Sequence, residues 1–443
     1  MRYLIFLVCC CCIQLLSAQT TTNQKNLSLE EAITIALTNN HQIKIQRQSM
    51  LLANNNITKA NAGMLPTVDA VGMGSYTNNF AALDLRTFQP EPPIINVEES
   101  GVETTTINLG VEANYLLWDG GQRRLRYQLL EGLSEIEKAK QSVIINGIIE
   151  GITELYFEIV KLQNQAGLIR ENMAVVRERI AKIEDRKEFG KANQLDILQA
   201  QTTLNQDIST LDNLNLVRAN LLLDLQRLMN DESTDDYVLA NESSAASIPN
   251  LVEVNTAIQN NNPQLVLMNK GIDLADLDYQ LAQKATRPTI ASFANAGYFW
   301  QQNDVQQLAK IQTLGGTVGL SVRYNLFDGG IRQTKIQNAQ ITKDLEQLKK
   351  EELVDDLYNQ AEKEVARMRL IQAQLERETT NLATYEANYQ KVAERFKLGQ
   401  LPEITLREAQ LALTNSKLTS ANLKVDFEKA AMRLRQLTGD FVK

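Results

Sequence analysis

Most apolar residues in this chain recur at helical intervals of three and four. Between Gly121 and about Glu188 the steps of four and three alternate regularly, which is the pattern of a coiled-coil seam. We therefore predict one helix of about 68 residues, roughly 100 Å long, with a partner helix along its seam. The seam positions are Leu155, Ile159, Leu162, Ala166, Ile169, Met173, Val176, Ile180 and Ile183.

The same seam returns later in the chain, with Glu378 as a polar interruption. Gly190 and Gly399 follow the two seams, and a glycine at this position typically ends a helix and turns the chain. Returning helices of about 38 residues are predicted at Asn193–Asn230 and Pro402–Gly439. The positions on the second seam are Met368, Ile371, Leu375, Leu382, Tyr385, Tyr389 and Val392.

Two other segments alternate apolar and polar residues, at Thr106–Trp118 and Thr317–Phe327. Alternation over about 10 residues is typical of a strand in a membrane β-barrel. A half-buried strand of a soluble sheet gives the same pattern, so the alternation alone does not decide between them. Less regular partner strands are predicted at Thr67–Tyr76 and Thr289–Trp300, and each pair of strands precedes one long helix.

These elements belong to an internal duplication. Asp119 and Asp328 lie in similar segments that are 209 residues apart, and the long helices keep this offset. Upstream, Pro66 and Pro288 are 222 residues apart, so the first copy has 13 additional residues, which we place in a longer loop around 79–100. The repeats cover about 27–230 and 249–439. We predict that they build one intertwined domain over residues 19–443.

Each repeat is predicted to begin with a helix that ends at a proline. The first runs from a capping site at Ser28 to just before Pro66, and the second runs from about Pro249 to Arg287. The polar segment Asp231–Ser247 would join the two repeats.

Residues 1–18 have the layout of a secretory signal peptide. Arg2 precedes an apolar stretch from Leu4 to Leu16, and Ser17 and Ala18 provide a small-residue cleavage site. A retained membrane anchor is the alternative. All four cysteines, Cys9 to Cys12, fall inside this segment, so a mature chain starting near Gln19 would have no thiol or disulfide.

The composition excludes several functional classes. A net charge of −8 with a pI near 5.1 argues against a nucleic-acid partner, which needs a basic surface. His41 is the single histidine and lies in a polar run, where a solvated turn explains it better than a catalytic or metal-binding role. Phosphate-binding glycine loops and nucleophile elbows are missing from the sequence. We expect no enzyme, no cofactor and no metal site.

Four strands are too few to close a membrane barrel, because the smallest bacterial barrels have about eight. On that interpretation other copies of the chain must supply the missing strands. The last helix of the second repeat also has no third repeat to meet within the chain. Oligomerisation is therefore predicted.

Taken together, the duplication and its paired motifs resemble the TolC family of outer-membrane efflux and channel-tunnel proteins. The resemblance covers Leu27 to about Gly439 and is carried by the two Asp-Gly-Gly corners and by the turn segments Arg186–Gly190 and Arg395–Gly399. It implies a mainly α fold with a membrane β-barrel portion. Long antiparallel coiled-coil helices would form an α-barrel, and four strands per chain would contribute to a trimeric twelve-stranded β-barrel.

The resemblance also implies a function. The chain would be a passive exit duct in the bacterial outer membrane, most of it projecting into the periplasm. It would serve a tripartite efflux or type I secretion system, with a periplasmic adaptor, an inner-membrane pump and outer-membrane lipid as partners. The cargo, whether drug, metal ion or protein, stays open because the pump would select it.

Three groups of site residues follow from the resemblance. The strand-to-helix corners would be Asp119, Gly120, Gly121, Asp328, Gly329 and Gly330. The turns that would dock the adaptor would be Phe189, Gly190, Lys191, Leu398, Gly399 and Gln400. The tunnel entrance or gate would comprise Asp196, Phe396, Leu401, Thr405 and Glu408.

The gate departs from the family pattern. The family has acidic residues at two positions of the tunnel entrance. In this chain one of these positions is still acidic, Glu408, and the other is Thr405. Asp196 matches a gate acid of the family, but the usual tyrosine and arginine partners are Phe396 and Leu401 here. We therefore hypothesise that closure depends on apolar contacts around Phe396 and Leu401. Solvated helix-surface carboxylates are the alternative interpretation of Asp196 and Glu408.

Two other classes of protein remain as alternatives at this stage. A periplasmic coiled-coil adaptor or scaffold would also have a signal peptide and heptad helices, but its strands would form a soluble element and not a barrel. An enzyme with its site on loops would need a carboxylate pair in a pocket, and the sequence identifies none.

Overall fold

The computed structural model describes residues 24–86, 94–190, 193–233, 236–240, 247–304 and 309–441. The predicted signal peptide with its four cysteines lies outside these residues. So do Lys191 and three prolines of the predicted loop, Pro90, Pro92 and Pro93.

The described chain contains two similar series of elements. The first comprises β1 Gln24–Leu27, α1 Leu29–Asn39, α2 His41–Asn56, β2 Thr67–Arg86, β3 Ile94–Trp118, α3 Gln122–Glu188 and α4 Gln194–Met229. The second comprises β4 Asp236–Leu239, α5 Leu251–Asn261, α6 Pro263–Lys284, β5 Thr289–Asn303, β6 Lys310–Arg323, α7 Ile331–Lys397 and α8 Glu403–Leu437.

These elements group into two compact units, each drawn from both repeats. One unit comprises the described parts of residues 1–48, 139–267 and 350–443, and it contains most of the long helices. The other comprises residues 49–138 and 268–349 and contains the four long strands.

The long helices confirm the coiled-coil prediction. Helices α3 and α7 have 67 residues each, and the returning helices α4 and α8 have 36 and 35. Ile159 and Val176 on the first seam are fully buried, and so is Met368 on the second. Gly190 and Gly399 end the long helices with positive φ angles of 71° and 74°, which glycine adopts without strain. In the described part of the chain, no helix has the length and apolarity to cross a membrane.

The helix predicted at the start of each repeat is in fact two helices, so that prediction was wrong. Buried asparagines make the breaks. The side-chain oxygen of Asn40 accepts a hydrogen bond from the Gln42 amide (2.8 Å), and its nitrogen donates to the Leu228 carbonyl (2.7 Å). Asn262 repeats this arrangement with Gln264 and with Leu437, both at 2.9 Å. Each side chain thus caps one helix and satisfies the carbonyl end of another.

The first pair of strands is longer than predicted. Strands β2 and β3 stay paired out to Arg86 and Ile94, so the described residues of the segment 79–100 extend the sheet, and the loop predicted there was wrong. Strand β6 is displaced from its prediction because it begins at Lys310 and ends at Arg323, before Phe327. The added length of β2 and β3 is consistent with the 13 extra residues of the first repeat.

The long strands form one antiparallel sheet in the order β2-β3-β5-β6. In the described chain β2 and β6 are its two edges. Large apolar side chains are exposed on the sheet, including Leu314 at 83% and Val318 at 84%. A protein in water rarely exposes an apolar surface of this extent without a function for it.

The segment that joins the repeats contains a strand that the sequence analysis missed. Strand β4 pairs in parallel with β1, from Gln24 opposite Asp236 to Leu27 opposite Leu239. The buried Tyr156 hydroxyl lies 3.0 Å from the Leu27 carbonyl and 2.8 Å from the Ala240 carbonyl, which ties this small sheet to α3.

Candidate functional site: the corners and the tip

In each strand-to-helix corner, an aspartate side chain accepts hydrogen bonds from backbone amides at the start of the following helix. In the first corner, Asp119 is buried, and its two carboxylate oxygens accept hydrogen bonds from the amides of Gly121 (3.1 Å) and Arg123 (2.7 Å). These amides belong to the start of α3, where four donors lack partners inside the helix. Gly120 and Gly121 turn the chain with φ angles of 71° and 89°.

The second corner repeats the cap. Asp328 accepts from the amides of Gly330 and Arg332, both at 3.2 Å, and from the Arg332 side chain at 2.7 Å. Burial acts to raise the pKa of Asp328, but the hydrogen bonds and the positive charge of Arg332 outweigh it and hold the pKa below its ordinary value. Gly329 and Gly330 have φ angles of 68° and 91°.

The two corners differ in what surrounds them. The Arg287 side chain donates to the Gly120 carbonyl at 2.9 Å, and a Cβ at Gly120 would lie 2.6 Å from the Cβ of Arg287. At Gly329 a Cβ would meet no described heavy atom within 4 Å. The first corner is therefore packed, whereas the equivalent surface of the second is open within one chain.

The two turns at the ends of the long helices present apolar side chains. The amides of Gly190 and Gly399 donate to the carbonyls of Lys187 and Phe396, both at 2.9 Å. Phe189 is 77% exposed and Leu398 is 72% exposed. Gln400 closes the second turn through its amide, which donates to the Arg395 carbonyl (3.0 Å).

The predicted gate residues occupy different environments. Asp196 completes a capping box at the start of α4, since it accepts from the Asn193 amide (3.0 Å) and donates its own amide to the Asn193 side chain (2.9 Å). The guanidinium of Arg186 lies over the Phe396 ring at 5.7 Å. Leu401, just before α8, is half-buried, and so is Thr405 in the first turn of that helix. Glu408 is exposed.

A buried ionic network near these residues was missed by the sequence analysis. Arg179 of α3 forms an ion pair with Glu403 of α8 at 3.1 Å, and the two side chains are 5% and 9% exposed. The Nη2 atom of Arg179 donates to the Gln410 side chain at 2.6 Å. Asn172 extends the network by accepting from Thr414 at 3.0 Å. The network fastens the first three to four turns of α8 to α3.

A second pair ties α8 to α4 at the same level, where Arg407 lies 3.3 Å from Asp207. Burial raises the pKa of Glu403 and lowers the pKa of Arg179, and each group's charge partly offsets the shift of the other. One polar atom of each of these four charged side chains finds no hydrogen-bond partner among the described residues. A partly satisfied buried network is costly to maintain and sensitive to the loss of any member.

A groove of about 660 Å³ lies beside this network, between the ends of α3 and α7. Its lining mixes charges of both signs with aromatic rings, and includes Lys182, Asp185, Arg186, Tyr389, Glu394 and Phe396. Among the described residues, no group of His, Cys, Asp and Glu side chains is arranged to hold a metal ion.

Comparison with known proteins identifies the family. The outer membrane efflux protein family matches residues 32–231 and 255–440, one segment in each repeat. Outer membrane efflux protein BepC of Brucella suis biovar 1 (strain 1330) is 22% identical over 469 residues, covering 99% of this chain and 92% of BepC.

Solved structures share the fold. CusC, whose structures concern transmembrane channel formation, superposes with a TM-score of 0.75 at 14% identity, covering 93% of this chain and 91% of CusC. The outer membrane protein VceC of Vibrio cholerae gives 0.73 at 14% identity, covering 93% and 96%. The fold predicted from the sequence, a mainly helical chain with strands for a channel, is confirmed. The chain belongs to the outer membrane efflux protein family.

Proposed function

We propose that this efflux protein works as a homotrimeric, passive exit duct in a tripartite assembly. Family membership over both repeats makes it an outer-membrane efflux duct whose helices lie in the periplasm. The observation that supports the trimer most directly is the open sheet of four strands. Three copies would provide twelve strands, which is enough for a closed membrane barrel.

The surface of the sheet supports insertion into lipid. Val318, Leu320 and Val322 alternate along β6 and are 84%, 69% and 71% exposed. Apolar side chains at every second position on an exposed face suit contact with acyl chains. Backbone groups at both sheet edges would need partners in a bilayer, where water cannot satisfy them.

The tip turns would receive a periplasmic adaptor, which in turn connects to an inner-membrane pump. Phe189 and Leu398 support this part of the proposal, because exposed apolar side chains on tight turns are suited to a protein partner. The chain has no phosphate-binding loop of its own, so the energy for transport would come from the pump.

The test of the proposed function is to purify the protein from outer membranes in detergent and measure its native mass and its conductance in planar lipid bilayers. We expect a mass of three chains and discrete channel currents. A water-soluble monomer without channel activity would contradict the duct and favour the adaptor or scaffold class.

The gate hypothesis gives a separate prediction. Leu401→Asp is expected to raise the closed-state conductance severalfold, because a carboxylate near the start of α8 would hydrate the apolar contacts that the hypothesis assumes around Phe396 and Leu401. Asp196→Asn is the matched control, since asparagine keeps a side-chain oxygen for the capping box and removes the charge. Single-channel recording distinguishes the hypotheses. An increase with Asp196→Asn and none with Leu401→Asp would show that closure depends on the acid.

A further inference from the structure

The residues around the strand-to-helix corners have a strong excess of positive charge. Four segments lie at the same ends of the long strands: 57–66, 119–130, 280–288 and 323–336. Together they contain nine basic and two acidic residues, although the whole chain has a net charge of −8. We call the nine the basic belt: Lys59, Arg123, Arg124, Arg126, Lys284, Arg287, Arg323, Arg332 and Lys335.

The two acidic residues of these segments are already engaged. Asp119 and Asp328 accept the amides at the helix starts, and their carboxylates lie 3.6 Å from Arg123 and 2.7 Å from Arg332. Within the part of the chain that the structure describes, the other seven members of the belt have no ion pair. Six members are exposed: Lys59, Arg124, Arg126, Arg287, Arg323 and Lys335. Their positive charge is therefore available to an anion from outside the chain.

Four members of the belt converge on the first corner: Arg123, Arg126, Lys284 and Arg287. A Cβ built on Gly121 would lie 3.7 Å from the Nζ atom of Lys284, and one built on Gly63 would lie 3.8 Å from an Nη atom of Arg126. Only one carboxylate, that of Asp119, lies among these four cations in the described chain. Like charges that are held near one another repel, and a bound anion removes that repulsion.

Both repeats keep positive charge at two matching positions. Arg123 and Arg332 lie four residues after the corner aspartates and pair with them. Arg126 and Lys335 lie seven residues after the aspartates. Neither has an ion pair in the described chain, and Arg126 contacts only the Gln122 side chain at 3.4 Å. Contacts inside the chain do not account for this second charge, so its presence in both copies points to a ligand that both corners meet.

The belt lies where the apolar face of the sheet ends. Trp118 is 42% exposed, Tyr324 is 56% exposed and Phe327 is 85% exposed. A bulge after Leu116 places Trp118 opposite Ile290 at the last rung between β3 and β5. Aromatic residues concentrate at the boundary between hydrocarbon and water in membrane barrels. Because the long helices of this family lie in the periplasm, the belt lies at the level of the lipid headgroups of the periplasmic leaflet.

The other end of the sheet has no such excess of positive charge. There the Asp304 amide donates to the Glu103 carbonyl at 3.3 Å, and Lys310 begins β6. These three side chains give the described residues at that end a net negative charge. The positive charge thus belongs to the periplasmic end of the sheet and not to the sheet as a whole.

We propose that the basic belt binds the phosphate groups of anionic phospholipids in the periplasmic leaflet. Guanidinium groups bind phosphate oxygens through paired hydrogen bonds, and lysine ammonium groups add point charges. The acyl chains of the bound lipids lie along the apolar strands beside Trp118. The belt thereby fixes the depth of the corners relative to the membrane. The inference rests on the outer-membrane location of the strands and adds the chemistry of the lipid.

The sequence contains two tryptophans, and they provide local reporters for the test. Trp118 lies beside the belt, and Trp300 lies near the other end of β5. Full-length Trp300→Phe protein is reconstituted into vesicles of equal parts phosphatidylglycerol and phosphatidylcholine, with bromine on the acyl chains of one lipid or the other. Bromine quenches the fluorescence of Trp118, so the two preparations give the relative affinity of the lipids there. We expect a preference of about threefold or more for phosphatidylglycerol.

Two triple variants in this background test the residues. The first neutralises three belt residues without an ion pair: Arg126→Gln, Lys284→Gln and Lys335→Gln. The control neutralises three exposed cations of the long helices: Arg170→Gln, Lys363→Gln and Lys391→Gln. We expect the first variant to bind both lipids equally at Trp118 and the control to keep the preference. Quenching of Trp118 in both variants shows that each is folded and inserted.

The location and the source of the phosphate are tested separately. Trp118→Phe protein, which reports from Trp300, is expected to show no preference for phosphatidylglycerol, and an equal preference there would overturn the location. Inorganic phosphate at constant ionic strength is expected to leave the preference at Trp118 unchanged. Its loss would identify a site for soluble phosphate and overturn the lipid assignment.

Two further results would contradict the inference. An undiminished preference in the belt variant would show that these residues do not bind the lipid. Equal quenching by both lipids in the Trp300→Phe protein, with channel currents intact, would overturn the inference and leave the duct function standing. Protein that does not insert and conducts no current would instead contradict the duct itself.

Discussion

Replacing Arg179 with methionine is expected to weaken the attachment of the start of α8 to α3 and to destabilise the protein. Methionine keeps much of the side-chain volume, but it leaves Glu403 buried without its cation. Removing one partner of a buried ion pair costs about 3–5 kcal/mol. The thermal midpoint of the purified trimer is expected to fall, and its closed-state conductance to rise, because Glu403 anchors the helix turn that follows Leu401.

Lys182→Met is the matched control on the same helix. Lys182 also pairs with a glutamate, Glu178, but both side chains are more than half exposed, so the expected cost is below about 1 kcal/mol. The double variant Arg179→Met/Glu403→Gln should regain part of the lost stability, since no buried charge is then unpaired. Equal melting of the Arg179 and Lys182 variants would refute the anchoring role.

The defect of Arg179→Met should depend on pH. Burial already raises the pKa of Glu403 above 4.5, and loss of the arginine raises it further. As the pH falls through this raised pKa, the folded protein takes up the proton before the unfolded chain does, so the folded state gains stability. The difference from the unmodified protein should therefore be smaller at about pH 5 than at about pH 8.

Replacing Gly297 with alanine is expected to remove most of the assembled protein from the outer membrane. An alanine Cβ would lie 2.7 Å from the Leu109 carbonyl oxygen and 3.2 Å from the Gly110 Cα, both backbone atoms of the neighbouring strand. Strands β3 and β5 would have to separate, at a cost of about 1–3 kcal/mol per copy. The measurement is the amount of folded trimer in outer-membrane fractions.

Gly315→Ala provides the control. Gly315 pairs with Gly297 in the same sheet, yet a Cβ there would meet no described atom within 4 Å. The equivalent position in the first repeat is Thr106, which accommodates a larger side chain between two strands. Similar trimer levels for the two alanine variants would show that the close approach at Gly297 does not limit folding.

The sequence allowed the long helices and the order of elements to be predicted, because their signals are local or repeated. The heptad seam repeats every seven residues, a glycine marks the end of each long helix, and the Asp-Gly-Gly corner occurs in both copies. The breaks at Asn40 and Asn262 were missed because helical periodicity continues through them. At each break the asparagine side chain donates to a carbonyl of a distant helix, at Leu228 or Leu437, and this contact is not visible in the local sequence. The second break does have a local signal, since Pro263 follows Asn262 and begins α6.

The ion pair between Arg179 and Glu403 was also not predictable from local sequence. Arg179 and Glu403 are 224 residues apart in sequence, and each lies in a segment rich in charged residues. Their pairing depends on the rotation of α3 relative to α8, which sets which charge is buried. The residues selected by resemblance behave differently, since Asp196 serves as a helix cap and Glu408 is exposed. Their role in a gate stays a prediction.

The unequal length of the two hairpins bears on where this protein can be modified. Its additional residues extend the first hairpin at its far end, while the pairing at its base, Thr67 with Asn114, matches that of the shorter hairpin. Residues can therefore be added at that end without changing the pairing at the base, although the extension itself has a register shift between Asn79 and Ala81. An insertion inside α3 or α7 would instead break the equal length of the two helices. The far end of the first hairpin is thus the natural place for an epitope or affinity tag.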